Sequence, residues 1–259
     1  MENAKIQEII AEIEAEFGPR KFPIVTSDWR LMEDSRLMLK DKASKPACIA
    51  PLIDHTALKP DVTEAEIEGL CKEAIDHRFA SVCVNPCWVA LASELLKNEL
   101  PMVCTVIGFP LGANVPEIKA DEAVRAIEDG AEELDMVLNV GTLKSGKWEY
   151  VFSDVVSVVE SSSPVAVKVI LETCLLTDEE IVRASAICAS AGAAYVKTST
   201  GFSSGGATEN AIALMSASVE QRLGVKASGG VGDFETAMKM IRAGATRIGA
   251  SKSLKITAE

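Results

Sequence analysis

From residue 49 onward, eight short runs of apolar and β-branched residues alternate with amphipathic stretches, and few architectures accept that pattern. The runs are 49–54, 80–84, 102–107, 133–138, 165–171, 194–198, 224–227 and 246–249. Continuous apolar runs of this length read as strands buried on both faces, the signature of a parallel sheet. The intervening stretches open with helix-start signals: Thr63-x-x-Glu66 and Thr177-x-x-Glu180 are capping boxes, and Asp233 can cap the helix after the seventh run. Eight strands alternating with helices over about 200 residues predict a (β/α)8 TIM barrel of the α/β class. No Gly-x-Gly-x-x-Gly follows the first run, which counts against an open dinucleotide-binding sheet.

The residues before the barrel form a separate unit in this reading: 1–48 an N-terminal helical extension, 49–259 the barrel domain. Ile6, Ile9, Ile10, Ile13 and Phe17 recur at helical spacing, and Gly18-Pro19 stops the helix. A connecting segment with a second short helix is expected up to about Pro46. The extension is expected to pack over one end of the barrel, because so short a helix is marginal alone. Its acidic, helical start is neither a secretory signal nor a transit peptide. Seven cysteines, scattered and odd in number, read as reduced thiols of a cytoplasmic protein. Cys83 and Cys87 flank Val84-Asn85-Pro86, but with only two histidines in the chain no metal site is expected, and no other cofactor. No apolar run has transmembrane length. A formal net charge of −12 argues against nucleic acid and anionic membranes as partners, so an anionic ligand needs a local positive site.

Three lysines sit inside the buried runs: Val167-Lys168-Val169, Val196-Lys197-Thr198 and Val225-Lys226-Ala227. Burying an ammonium ion is costly, and three on neighbouring strands point to a functional site rather than to packing. Like charge and desolvation together are expected to lower the lysines' affinity for protons, and a neutral amine attacks carbonyl carbon. Asp135, between Leu134 and Met136, is equally out of place. The repeated helix ends at Gly130, Gly192 and Gly244 set a common count that places Asp135, Lys197 and Gly249 on strands four, six and eight. Asp135 and Lys197 are then expected in one interior layer, with Gly249 leaving room beside them, Lys168 between them and Lys226 just past Lys197. The chemistry read from these residues is a Schiff base.

Glycine-rich turns follow strands six to eight: Thr200-Gly201-Phe202, Ser228-Gly229-Gly230 and Gly249-Ala250-Ser251. Glycine lets backbone N–H groups approach an anion, so these turns read as a phosphate cradle. The loop 108–114 either lines the mouth or is a rigid turn. His55 ends strand one on the same face, where it is either a general acid/base or a hydrogen-bonded structural residue.

Longer motifs carry a resemblance: Asp54-His55-Thr56-x-Leu58-Lys59-Pro60, Val82-Cys83-Val84-Asn85-Pro86 and Gly108-Phe109-Pro110-Leu111-Gly112, then Glu133-Leu134-Asp135-Met136-Val137 and Lys168-Val169-Ile170-Leu171-Glu172-Thr173. Val196-Lys197-Thr198-Ser199-Thr200-Gly201-Phe202 and Val225-Lys226-Ala227-Ser228-Gly229-Gly230 complete them. With these motifs the chain resembles the 2-deoxyribose-5-phosphate aldolases, class I aldolases, from about Ile53 to Ile256. The resemblance implies a metal-free, reversible cleavage of 2-deoxy-D-ribose 5-phosphate to acetaldehyde and D-glyceraldehyde 3-phosphate. It makes Lys197 the Schiff-base lysine, Asp135 the proton relay, Lys226 the lysine that tunes the nucleophile and Lys168 a further lysine beside the aspartate. Spacing alone does not choose Lys197 over Lys226. Thr56, Gly201, Phe202, Gly229, Gly230, Gly249, Ser251 and Lys252 are the substrate and phosphate contacts expected, with a phosphorylated sugar as ligand and a homo-oligomer, a dimer, as assembly.

Three departures from the family pattern bear on phosphate affinity and turnover. Gly232 and then Asp233 stand where an arginine is usual, Lys252 stands where a serine is usual, and no tyrosine-bearing tail follows Thr257-Ala258-Glu259. A lysine at 252 can restore the missing positive charge, though without the guanidinium fork. Two other readings remain open at this point: a Schiff-base aldolase of a different or neutral aldehyde, and a low-activity barrel kept for binding.

Overall fold

A computed structural model describes residues 1–19, 46–220 and 222–258. The second short helix expected within 20–45 lies outside the described residues.

Eight strands close into a barrel in chain order, each parallel to its neighbours. They are β1 (Ile53–Ala57), β2 (Ser81–Val84), β3 (Met102–Ile107), β4 (Glu133–Val137), β5 (Ala166–Ile170), β6 (Tyr195–Lys197), β7 (Gly224–Ser228) and β8 (Arg247–Ala250). The helices are α1 (Asn3–Phe17), α2 (Glu64–His77), α3 (Val89–Leu95), α4 (Pro116–Glu128) and α5 (Val140–Lys144), then α6 (Trp148–Ser162), α7 (Asp178–Ser190), α8 (Glu209–Val219), α9 (Phe234–Ala243) and α10 (Ser253–Thr257). The TIM barrel with an N-terminal helix is thus the observed fold. Among the described residues no helix is long and apolar enough to cross a membrane.

Local signals work as their chemistry predicts. Thr63 with Glu66 and Thr177 with Glu180 form reciprocal capping boxes, and Asp233 accepts from the Thr236 backbone N–H at 2.8 Å. The first strand is shorter than its apolar run: residues 46–52 wind as a 3-10 helix containing Pro51, and pairing begins only at Ile53. Proline has no N–H to donate to a ladder, so an apolar run that contains one is not all strand.

Inside α1, Ile6, Ile9, Ile10 and Ile13 are buried against α7 and α8. Each such side chain contributes about 1.5–3 kcal/mol of transfer free energy, which is what an isolated fifteen-residue helix lacks. Polar contacts at the rim orient the helix: Arg183 Nη2 reaches Glu12 at 3.1 Å, Arg222 pairs with Glu14, and Gln7 donates to Glu220 at 2.9 Å. Helix α1 is therefore held against two helices of the barrel's outer ring.

Candidate active site

The barrel interior carries a charged column where apolar layers are usual. Near the amino ends of the strands, Arg247 donates to Asp54 at 2.6 Å and to both Glu133 oxygens at 3.1 Å, with its guanidinium 5.4 Å from the Tyr195 ring centre. Gly224 makes this possible, since a Cβ there would lie 2.1 Å from the Tyr195 ring. One level up, Lys168 donates to Glu133 at 2.6 Å and to Asp135 at 3.1 Å, and Lys226 bridges Asp54 and Asp135, the latter at 2.7 Å. At the top, Lys197 donates to the same Asp135 oxygen at 2.6 Å.

Asp135 is thus shared by all three lysines, each fixed by a different strand. Gly249 supplies the room: a Cβ there would stand 2.9 Å from Cε of Lys226, so the open space expected beside the lysines is occupied by the Lys226 stem. Every member of the column is buried, and Lys197 keeps 3% exposure because it also lines the pocket above.

Four cations, Lys168, Lys197, Lys226 and Arg247, face three carboxylates, Asp54, Glu133 and Asp135. A buried cluster avoids net charge, so the set balances when one of its amines gives up a proton. Burial pushes the Lys168 ammonium toward deprotonation, but Asp135, Cys104, Glu133 and Asp54 outweigh it and raise its pKa well above the ordinary lysine value. Burial acts the same way on Lys226, and there too Asp135 and Asp54 prevail and raise it. Lys168 does lower the proton affinity of Lys226, as like charge requires, but the carboxylates interleaved between the lysines outweigh that effect, so neither of these two ends below its ordinary value. For Asp135, burial would raise the carboxyl, yet Lys168, Lys197 and Lys226 hold it well below the usual range.

A pocket of about 590 Å³ opens at the carboxyl ends of the strands. Its wall contains Thr56, Gly201, Phe202, Gly229, Gly230, Gly249, Ser251 and Lys252, all the residues expected there from the sequence, together with Lys197 on its floor. Asp135, Lys168 and Lys226 lie beneath that floor. Gly201, Gly229 and Gly230 adopt φ of +86°, +83° and +81°, a region β-carbons disfavour, and no heavy atom stands within 4 Å of where a Cβ at Gly201 or Gly230 would point. Backbone at Gly201 and Gly230 is therefore open to close approach, whereas Gly229 packs on Gly206 and its carbonyl oxygen accepts from the Ala207 N–H at 2.9 Å. Lys59 and Lys252 bring positive charge to its rim, and the Lys252 stem runs beside Gly232, 3.7 Å from a Cβ placed there. Asp233, a threat to an anion at that point, instead turns its carboxylate to cap α9. Glu66 also lines the pocket, with its carboxylate engaged by the Thr63 backbone N–H at 2.7 Å.

His55 faces the opposite way. Its ring spans Glu73 at 2.7 Å and Ser253 at 2.9 Å in the helix layer, so it ties β1 to α2 and α10 and is no general acid or base for the pocket. The loop 108–114 is a rigid turn: Gly108 donates to Glu122 at 2.7 Å, and a Cβ on Gly112 would lie 2.2 Å from the Leu138 carbonyl oxygen. Its one contribution near the mouth is Phe109, which meets Phe202 edge-on at 5.3 Å.

Asp54, Glu133, Arg247 and Tyr195 complete the column and were not read as site residues from the sequence. The signal was present, since Asp54 follows Leu52-Ile53, Glu133 precedes Leu134, and Arg247 precedes Ile248, charges set in buried runs just as the lysines are.

Known proteins resemble this chain in sequence and fold. The family model described as "DeoC/LacD family aldolase" matches residues 48–257. A deoxyribose-phosphate aldolase of Exiguobacterium sibiricum is 59% identical over 209 residues, 80% of this chain and 95% of its own length. A Coccidioides immitis structure assigned to a deoxyribose-phosphate aldolase superposes with a TM-score of 0.81 at 37% identity, covering 99% of this chain and 97% of that one. A tetrameric deoxyribose phosphate aldolase from Aeropyrum pernix gives a TM-score of 0.78 at 33% identity, covering 88% of this chain and 95% of its own.

Proposed function

This chain belongs to the DeoC/LacD family of aldolases, and on that premise we propose that Lys197 is the amine that forms its Schiff base. The enzyme is a lyase of the deoxyribose-phosphate aldolase type: it cleaves 2-deoxy-D-ribose 5-phosphate reversibly to acetaldehyde and D-glyceraldehyde 3-phosphate. The observation that carries the assignment of Lys197 is its position. It is the one lysine of the three that both reaches the pocket and touches Asp135, at 2.6 Å.

The chemistry follows from that placement. The Lys197 amine adds to the aldehyde carbon C1, and loss of water leaves an iminium. The C3 hydroxyl gives up its proton as the C2–C3 bond breaks, and the electron pair moves into the iminium to form an enamine. Ionised Asp135 receives that proton directly or through water and returns it to C2, after which hydrolysis releases acetaldehyde and regenerates the amine. Lys226 and Lys168 keep Asp135 in place between the two transfers. At the far end, the glycine turns at Gly201, Gly229 and Gly230, with Ser251 and Lys252, take the phosphate, so binding energy from a non-reacting group orients the carbons.

A homo-oligomer, a dimer at least, and a cytoplasmic location belong to the same proposal. The first is supported by the tetrameric Aeropyrum pernix relative, the second by six described cysteines standing as free thiols. Borohydride reduction in the presence of deoxyribose 5-phosphate, followed by peptide mapping, tests the assignment. The expected adduct sits on Lys197; an adduct on Lys168 or Lys226 in its place refutes it, and trapping only with unphosphorylated aldehydes would favour a neutral substrate.

A further inference from the structure

Two cysteines of the barrel interior have no part in the mechanism above. Cys83 on β2 and Cys104 on β3 are register partners on adjacent parallel strands, and both are fully buried. The Cys104 sulfur stands 3.2 Å from Oδ1 of Asp135 and 3.4 Å from Nζ of Lys168. One ligand atom from each of Cys83, Cys104 and Asp135 lies within 4.8 Å of the other two. Asp135 is therefore claimed from two sides: the lysines on one, a pair of thiols on the other.

We propose that Cys83, Cys104 and Asp135 form an inhibitory site for a single thiophilic divalent cation of the Zn2+ or Cd2+ class. Three arguments support it. The first is geometric: tetrahedral zinc holds sulfur at about 2.3 Å and carboxylate oxygen at about 2.0–2.2 Å, so its ligands stand roughly 3.5–4 Å apart, and the triad reaches that spacing with movements of about 1 Å. The second is electrostatic. A dication that displaces the two thiol protons to solvent leaves the net charge of the buried column unchanged, so the ion adds no uncompensated charge to a low-dielectric interior. The third is selectivity, since two sulfurs and one oxygen favour soft or borderline ions over Mg2+ and Ca2+.

Entry is short. Leu58 lines the pocket and packs in one cluster with Cys83 and Cys104, and Lys197 forms the floor directly over Asp135. An ion seated here draws Asp135 away from Lys197 and Lys226, so substrate cleavage stops. This inhibitory consequence rests on the proton-carrier reading of Asp135, whereas binding of the ion does not.

Both halves can be measured on the intact protein after treatment with a chelator. Titration with Cd2+ is expected to saturate at one equivalent, with an ultraviolet thiolate-to-metal charge-transfer band, and to abolish activity in parallel until EDTA restores it. Cys83→Ala is expected to weaken both the band and the inhibition by at least about tenfold. Cys83→Ser serves if the alanine variant does not fold. Replacing the exposed Cys87 and Cys174 together by serine is expected to leave both signals in place. Full inhibition and an unaltered band in the Cys83 variants, or their loss in the Cys87/Cys174 variant, overturn the site. A band that depends on Cys83 without any loss of activity overturns the inhibition and counts against Asp135 as the proton carrier, with the ion's binding upheld.

Discussion

Lys226→Met removes one cation from the column while keeping the length of the side chain. Three cations then face three carboxylates, so the interior stays balanced and the barrel is expected to fold. The consequence falls on Lys197. Lys226 and Lys197 donate to the same oxygen of Asp135, at 2.7 and 2.6 Å. Two amines on one oxygen at these distances stand no more than about 5 Å apart, and at an effective dielectric constant of about 20 a like-charge pair at that separation repels by about 3 kcal/mol. At about 1.4 kcal/mol per pH unit, removing the repulsion corresponds to about two pH units. The variant also leaves the shared Asp135 oxygen wholly to Lys197, which acts in the same direction. The acidic limb of the kcat/KM profile for deoxyribose 5-phosphate is therefore expected to move to higher pH by one to about two units, with borohydride trapping on Lys197 shifting in step. A fall in rate with an unmoved acidic limb would refute the reasoning, because it would reduce Lys226 to packing.

Other perturbations probe the same structure at separate points. Lys252→Ser is expected to raise KM for deoxyribose 5-phosphate by about tenfold, the value of one charge-assisted contact, and to leave KM for unphosphorylated deoxyribose unchanged; equal effects on both substrates remove Lys252 from the anion site. Gly249→Ala places a methyl group 2.9 Å from Cε of a lysine pinned by two carboxylates, so a loss of about 1–3 kcal/mol in urea unfolding and a fall in kcat are expected; a stable, fully active variant shows that the column yields. Asp54 and Asp135 are held below the ordinary carboxylate range, so their contribution to stability is present above the unfolded value of about 4 and is lost as pH falls toward their folded values. Lys168 and Lys226 are raised, so their share is complete below about 10.4 and fades only above it. Unfolding free energy should then hold level across that window and drop on its acid side, with a smaller acid drop in Asp135→Asn; identical acid limbs in parent and variant contradict the assignment.

The barrel was legible because its strands are buried on both faces and its helices begin with chemical signatures, Thr63 with Glu66 and Thr177 with Glu180, that require no tertiary context. The misplacement of β1 has a local cause, Pro51, which keeps a run apolar while forbidding it to pair. The pocket wall was legible through glycines after consecutive strands, where no helix end calls for positive φ and close approach of backbone to a ligand does. What the sequence does not display is contact across the barrel. Asp135 and Arg247 are each a charge set beside apolar residues in a buried run, and only closure of the sheet decides that the first meets three lysines while the second sits below them on Glu133 and Asp54. The phase of β1 and β8 likewise sends His55 outward and Asp54 inward, a one-residue distinction that spacing alone does not settle.

The column also explains why a costly interior is tolerated. Replacing buried ion pairs with apolar side chains of similar volume is often neutral or stabilising, so stability alone gives no reason for seven charged groups inside one barrel. Their arrangement along the axis does. Arg247 and Glu133 face each other with matched forks at the closed end, and in the middle Lys168 is held by three carboxylates and Lys226 by two. Lys197 alone has a single carboxylate partner, one already shared, and it alone opens on the pocket. The amine with the fewest carboxylate partners is therefore the one that faces the pocket. The order from fully paired floor to singly paired mouth accounts for three lysines that look interchangeable in the sequence and are not interchangeable in the fold.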